Sequence, residues 1–65
     1  MTNPMCRAAY LGHRNVAAIL LKHGGDINIR SSDGRTPLMW AAFRNHHTLA
    51  EYLVENGAKL DLEDN

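Results

Sequence analysis

Shifted by 33 positions, the chain falls on itself: Pro4 meets Pro37, Ala8-Ala9 meets Ala41-Ala42, His13 meets His46, Ala17 meets Ala50, Leu20 meets Leu53 and Gly24 meets Gly57. Apolar residues replace apolar ones in between, as Met5/Leu38, Tyr10/Phe43, Val16/Leu49, Ile19/Tyr52, Leu21/Val54 and Ile27/Leu60. An internal period of roughly 20–50 residues marks stacked units, none of which can bury its apolar face alone. That one feature excludes most small folds, because the chain must build its core between two copies of the same element set.

Each copy reads as helix, turn, helix and extended loop. Asn3-Pro4 and Thr36-Pro37 join a side chain able to cap backbone N–H groups to a proline at the first helical position, where no N–H is needed. Met5, Ala8 and Ala9, like Leu38, Ala41 and Ala42, fall on one face at i, i+3, i+4 spacing. Their small alanines let a neighbouring helix come close. Gly12 and Asn45 stand at matching positions and both tolerate a left-handed turn. Val16, Ile19 and Leu20 then give a second apolar stripe, as do Leu49, Tyr52 and Leu53, and Gly24 and Gly57 suit left-handed helix ends. Asp26-Ile27-Asn28-Ile29 alternates polar and apolar before the turn residues Ser31-Ser32-Asp33-Gly34, which predicts a hairpin-like projection too short for much sheet. The expectation is an all-α solenoid of stacked helix–turn–helix units, about residues 1–32 and 33–65, in one segment spanning 1–65.

Charge and composition narrow the function. Seven Lys/Arg balance seven Asp/Glu, without the basic footprint of a nucleic-acid or anionic-membrane binder. No apolar run approaches the ~20 residues of a membrane span; none exceeds the six residues of Val16 to Leu21. The start, Met1-Thr2-Asn3-Pro4, lacks the pattern of a signal peptide, and the single cysteine, Cys6, has no internal disulfide partner. A cytoplasmic setting is expected, either free or as the cytosolic part of a membrane protein. The neutral total divides unevenly: Arg7, Arg14, Lys22 and Arg30 against Asp26 make residues 1–32 basic, whereas Asp33, Glu51, Glu55, Asp61, Glu63 and Asp64 outnumber Arg35, Arg44 and Lys59 afterwards. Such an asymmetry suits either two differently solvated surfaces or attraction to an acidic partner or neighbouring copy.

The polar residues do not form a catalytic or metal constellation. His46 and His47 are adjacent and would point about 100° apart on a helix, so they cannot share an ion. No Cys-x-x-Cys, His-x-x-x-His or Glu-x-x-His spacing occurs. Cys6 and His13 lack the orienting third group that a nucleophile pair needs, and Gly24-Gly25 ends a helix instead of opening one, unlike a phosphate loop. Packing is expected of Cys6, and backbone or water contacts of His13 and His46. No enzyme activity, metal or cofactor is expected.

Thr36-Pro37-Leu38-Met39, Ala41-Ala42, Leu20-Leu21, Gly24-Gly25-Asp26-Ile27-Asn28 and Asp33-Gly34 resemble the ankyrin repeat, across essentially the whole chain. Cys6 and Met39 depart from it, standing where the repeat has His, with the expected loss of that residue's hydrogen bonds to the hairpin. Asn3 replaces Thr and Asn45 replaces Gly. The resemblance implies a non-catalytic protein–protein interaction module that binds a protein or peptide through its hairpin tips and concave first helices. Carried over by position, it points to Arg30, Ser32, Asp33 and Arg35 on the loop and to Tyr10, Leu11, Trp40, Phe43 and Arg44 on the helices. Trp, Tyr and Arg dominate interface hot spots, although Trp40 could equally cover the neighbouring unit. The stretch Thr36–Arg44 also resembles ankyrin domains of protein S-acyltransferases, which implies a substrate-recruiting alternative. Leu20 followed by Asp26-Ile27-Asn28 is similar to sites of asparaginyl hydroxylation, which marks Asn28 as a candidate acceptor; the alternative is that Asn28 closes the loop.

The resemblance has the chain opening inside a repeat and closing just before the next one's Gly. Tyr10, Leu11, Tyr52 and Val54 are expected to leave both outer faces apolar, unlike terminal capping repeats. A piece of a longer array, or self-association through uncapped ends, is the expectation.

Overall fold

Asn3 and Thr36 open the two units in the same way. In the computed structural model, which describes residues 3–59, both are extended, and each side-chain oxygen accepts from the backbone three residues on: Cys6 N to Asn3 Oδ1 at 2.8 Å and Met39 N to Thr36 Oγ1 at 3.3 Å. Pro4 and Pro37 follow as the first helical residues. The helices are α1 (Pro4–Leu11), α2 (Arg14–Lys22), α3 (Pro37–Phe43) and α4 (His47–Glu55). None of the described residues is in a strand.

All four helices stop by one device. Gly12, Gly24, Asn45 and Gly57 each take a positive φ just past a helix end. The N–H of the following residue then reaches back to the helix: His13 to Ala8 O at 2.8 Å, Gly25 to Leu20 O at 2.9 Å, His46 to Ala41 O at 2.8 Å and Ala58 to Leu53 O at 2.9 Å. This Schellman closure satisfies carbonyls that the helix leaves open. Asn45 achieves it without being glycine, at φ 61°.

α1 packs side by side with α3, and α2 and α4 each pack on the first helix of their own unit, giving two helical layers. Met5, Ala8, Ala9, Ala17, Ala41, Leu49 and Leu53 form the buried core, with Leu20, Leu21, Ile27, Ile29 and Trp40 packed against it. The repeat supplies its own comparison. Leu49 is 2% exposed, but its counterpart Val16 is 42% exposed; Ala9 is buried, but its counterpart Ala42 is exposed. One face of each unit is therefore covered by the other unit, and the opposite face exposes Val16 on the first and Ala42 and Val54 on the second, with Leu20, Leu38 and Ala50 only partly covered there. Leu11 and Val54 are exposed as expected, and the expected outer faces are corrected at the two tyrosines. Tyr10 meets Trp40 of the second unit, and Tyr52 lies under the Arg14 guanidinium at 4.7 Å, so both tyrosines sit at the joint between units.

The connection from residue 26 to 35 is pinned to α1. Asp26 Oδ1 accepts from Asn28 N at 2.9 Å, and Ser31 closes a turn by accepting from Gly34 N at 2.9 Å and donating its N–H to Arg35 O at 2.8 Å. Asn3 Nδ2 donates to Arg30 O at 3.2 Å. Cys6, expected to forfeit the hairpin hydrogen bonds of His, keeps a weaker version of them. Its thiol, fully buried, points at the carbonyls of Ile29 and Arg35 at 3.7 and 3.5 Å, within reach of a weak S–H donor. The Ile27/Leu60 pairing and the carboxylates Asp61, Glu63 and Asp64 lie outside the described residues.

Candidate recognition surface

Trp40 is the centre of a surface drawn from both units. It follows the α3 cap by four residues and so projects between α1 and the hairpin. Its ring meets Tyr10 edge to face, with centroids 5.5 Å apart and planes at 80°, and meets Phe43 at 6.2 Å and 83°. These are favoured aromatic geometries, worth about 0.5–1.5 kcal/mol each beyond area burial. Its indole Nε1–H donates to Ser31 Oγ at 3.2 Å, which fixes the ring's direction.

Two guanidiniums cover this row of rings. Arg35 lies 5.1 Å from the Trp40 ring centre and 5.6 Å from that of Phe43. Arg44 lies 4.5 Å from the Tyr10 ring centre and donates from Nη1 to the Tyr10 hydroxyl at 2.9 Å. Cation–π contacts at exposed sites contribute about 0.5–1 kcal/mol apiece. Phe43 remains 65% exposed at the edge of the group. The structure thus joins Tyr10, Arg35, Trp40, Phe43 and Arg44 into one patch.

The other residues singled out in the sequence are placed differently. Arg30 is turned into the hairpin, where its Nη1 donates to Gly34 O at 2.5 Å. Asp33 is exposed at the tip and accepts a hydrogen bond from the Ser31 hydroxyl, which holds its carboxyl below the usual range against the opposing effect of desolvation, with lesser help from its own backbone N–H and the Arg35 charge. Ser32 and Leu11 are exposed and share no ring contact or hydrogen bond with the patch among the described residues. Asn28 Oδ1 accepts from Lys59 N at 3.0 Å, which ties the first hairpin to the chain after α4.

Ser31 is the residue that sequence reasoning passed over. It is 7% exposed and serves as a hub, accepting from Trp40 Nε1 and from Arg35 N at 3.4 Å while donating to Asp33. The available signal was its place as first residue of a turn ending in Gly34, where a serine side chain commonly bonds inward.

Nothing in the patch resembles a reaction centre. His46 is committed to the Tyr10 carbonyl at 3.0 Å. Among the described residues no three His, Cys, Asp or Glu side chains come together as metal ligands, and no helix is long and apolar enough to cross a membrane. Capped helix pairs, a hairpin pinned to the first helix of its unit and a laterally shared core define a repeat solenoid. The chain belongs to the family described as ankyrin repeats (three copies), which matches residues 1–64. It is 43% identical over 60 residues to an ankyrin repeat-containing protein of Treponema pallidum, covering 92% of this chain and 20% of that protein. It is 40% identical over 58 residues to human protein fem-1 homolog C, covering 89% and 9%, and 44% identical over 57 residues to the NF-kappa-B inhibitor cactus of Drosophila melanogaster, covering 86% and 11%. The chain therefore spans a fifth or less of the length of these relatives.

Proposed function

We propose that the chain is a non-catalytic protein-recognition module whose binding surface is the α1/α3 face with the hairpin at its edge. Ankyrin repeats are a general protein–protein interaction module, and the likeness to cactus, an inhibitor of NF-kappa-B, fits a role exercised on another protein. The observation that carries the reading is the row Tyr10–Trp40–Phe43, held rigid from both units and by Ser31, with a large aromatic left in solvent at its end. Rigid aromatic and arginine side chains lose little entropy on binding and dominate interface energies. A substrate-recruiting role, as the resemblance to S-acyltransferase ankyrin domains implies, would use this same face.

The test is an unbiased peptide selection on the chain, followed by mapping each selected ligand through Trp40 fluorescence and backbone chemical shifts. Ligands should perturb Trp40 and the α1/α3 residues and should be lost in the Trp40→Ala/Arg44→Ala double variant, while helix content stays. Binding that survives in a folded double variant would place the surface elsewhere.

A second reading draws on the open faces. Val16 and Leu20 on one side, and Leu38, Ala50 and Val54 on the other, repeat the two halves of the interface within the pair. They suit further units, of the same chain or of a neighbouring copy. Sedimentation at two salt concentrations tests copy-to-copy stacking: a monomer insensitive to salt eliminates it.

A further inference from the structure

Among the described residues, the helical part of the recognition face, α1 and α3, carries positive charge and no carboxylate, and Asp33 stands at the hairpin tip beside it. Arg7 is the one side chain on α1 that is charged at neutral pH, α3 has none, and the residues flanking α3 at the patch are Arg35 and Arg44. Arg7 also holds in the first unit the register that Trp40 holds in the second, so cation and ring occupy equivalent positions on the two helices. The nearest carboxylates in the connecting loop are engaged there: Asp33 accepts from Ser31, and Asp26 accepts from Asn28 N. Glu51 and Glu55 belong to α4, in the other layer.

Resting on the reading that this face binds protein, we propose that its partner is an acidic peptide, an extended segment in which Asp or Glu side chains flank a large apolar residue. Arg44 supplies the chemistry. A guanidinium has five N–H donors in a rigid fork, and one of them goes to the Tyr10 hydroxyl. Stacking on the Tyr10 ring holds the plane of the fork, so a carboxylate approaching its edge meets donors that are already oriented. Exposed Phe43 offers the apolar contact beside it. Electrostatic complementarity of this kind selects partners by charge and speeds encounter. A basic peptide would meet like charge from Arg7, Arg35 and Arg44.

The single tryptophan makes the test direct, because the chain's intrinsic tryptophan signal reports on Trp40 alone. The whole chain is titrated with three blocked peptides of equal length and a common central Phe, flanked by Asp and Glu, by Asn and Gln, or by Lys. The acidic peptide should bind about tenfold more tightly than its amide counterpart, as expected for a charge-assisted bidentate contact, and its affinity should fall as salt is raised. The Lys peptide should not bind. Arg44→Gln should remove the preference for acid over amide and Arg44→Lys should restore part of it, with helix content by circular dichroism unchanged in both. Equal binding of the acidic and amide peptides at Trp40 overturns the acidic-partner proposal and leaves the recognition face standing. Silence of Trp40 toward all three also overturns it, and the recognition face is then decided separately by the unbiased selection.

Discussion

His46 of the second unit donates from Nε2 to the carbonyl oxygen of Tyr10, 3.0 Å away, and its ring fills the space beside Gly12. One imidazole thus closes the joint between units by satisfying a carbonyl near the end of α1 that the helix leaves open. The equivalent His13 of the first unit is exposed, on the side where that unit's face is open. The two histidines share a register and differ only in whether a neighbour is present.

Gly12→Ala should therefore cost more than Gly24→Ala. Both glycines have φ near the left-handed region, +77° and +89°, where a Cβ costs roughly 1–2 kcal/mol. At Gly24 nothing lies within 4 Å of the added atom, whereas at Gly12 it would stand 2.7 Å from His46 Nδ1. Displacing that ring adds the loss of its hydrogen bond, so about 2–4 kcal/mol is expected at Gly12 against about 1–2 at Gly24. Urea unfolding of the two variants measures the gap. A gap that persists in a His46→Ala background would refute the assignment to His46.

Leu53→Ala and Leu20→Ala should also separate, although the sequence makes them equivalent. Leu53 is fully buried between units and Leu20 only partly so. Truncation of a fully buried leucine costs about 2–5 kcal/mol, and the half-open site should cost about half as much. Equal losses in thermal or urea unfolding would mean that Leu20 is covered in solution, as stacking of copies would require.

These leucines show where sequence reading ends. The period, the capping of α1 and α3, and the left-handed residues Gly12 and Asn45 were legible because each depends on bonds within a few residues of chain. Phe43 and Arg44 were legible as exposed residues through their place in the repeat, whereas Trp40 is partly buried and covers the neighbouring unit, the alternative that its sequence left open. Burial was not, since Val16 and Leu49 differ through what lies across from them and not through their own segments. The assignment of Tyr10 and Tyr52 to outer faces failed for the same reason: their partners, Trp40 and Arg14, come from the other unit. Cys6 looked like a loss of hydrogen bonding because the two carbonyls it reaches belong to a loop 23 and 29 residues away.

Asn28 is expected to act as a clasp between successive loops. Its side-chain oxygen accepts from Lys59 N, so Asn28→Ala should remove one hydrogen bond and cost about 0.5–1.5 kcal/mol. Hydrogen exchange at the Lys59 amide gives the specific readout, and it should quicken in the variant. Unchanged exchange would show that the clasp does not persist in solution. The proposed hydroxylation is tested at the same residue by intact mass of protein from its native source: a species 16 Da heavier, localised to Asn28, supports it, and its absence sinks it.

The Ser31 hub predicts a pH dependence at Trp40. Asp33 holds its proton more weakly in the folded chain than in the unfolded one, chiefly through the Ser31 hydroxyl and with help from Arg35. The unfolded chain therefore binds more protons in the acidic range, and stability from this group rises with pH there. Its contribution is present above the ordinary carboxylate pKa and fades as pH falls through the lowered value. Protonation of Asp33 weakens its hold on the Ser31 hydroxyl, which in turn accepts from Trp40 Nε1, so the indole environment should change over the same acidic range. Ser31→Ala removes both links. It should expose Trp40, shifting its emission to the red at neutral pH, and should abolish the acid-range change seen in the parent chain. Persistence of that change in Ser31→Ala, with the fold intact, would assign the titration to another group and leave Asp33 without influence on the recognition face.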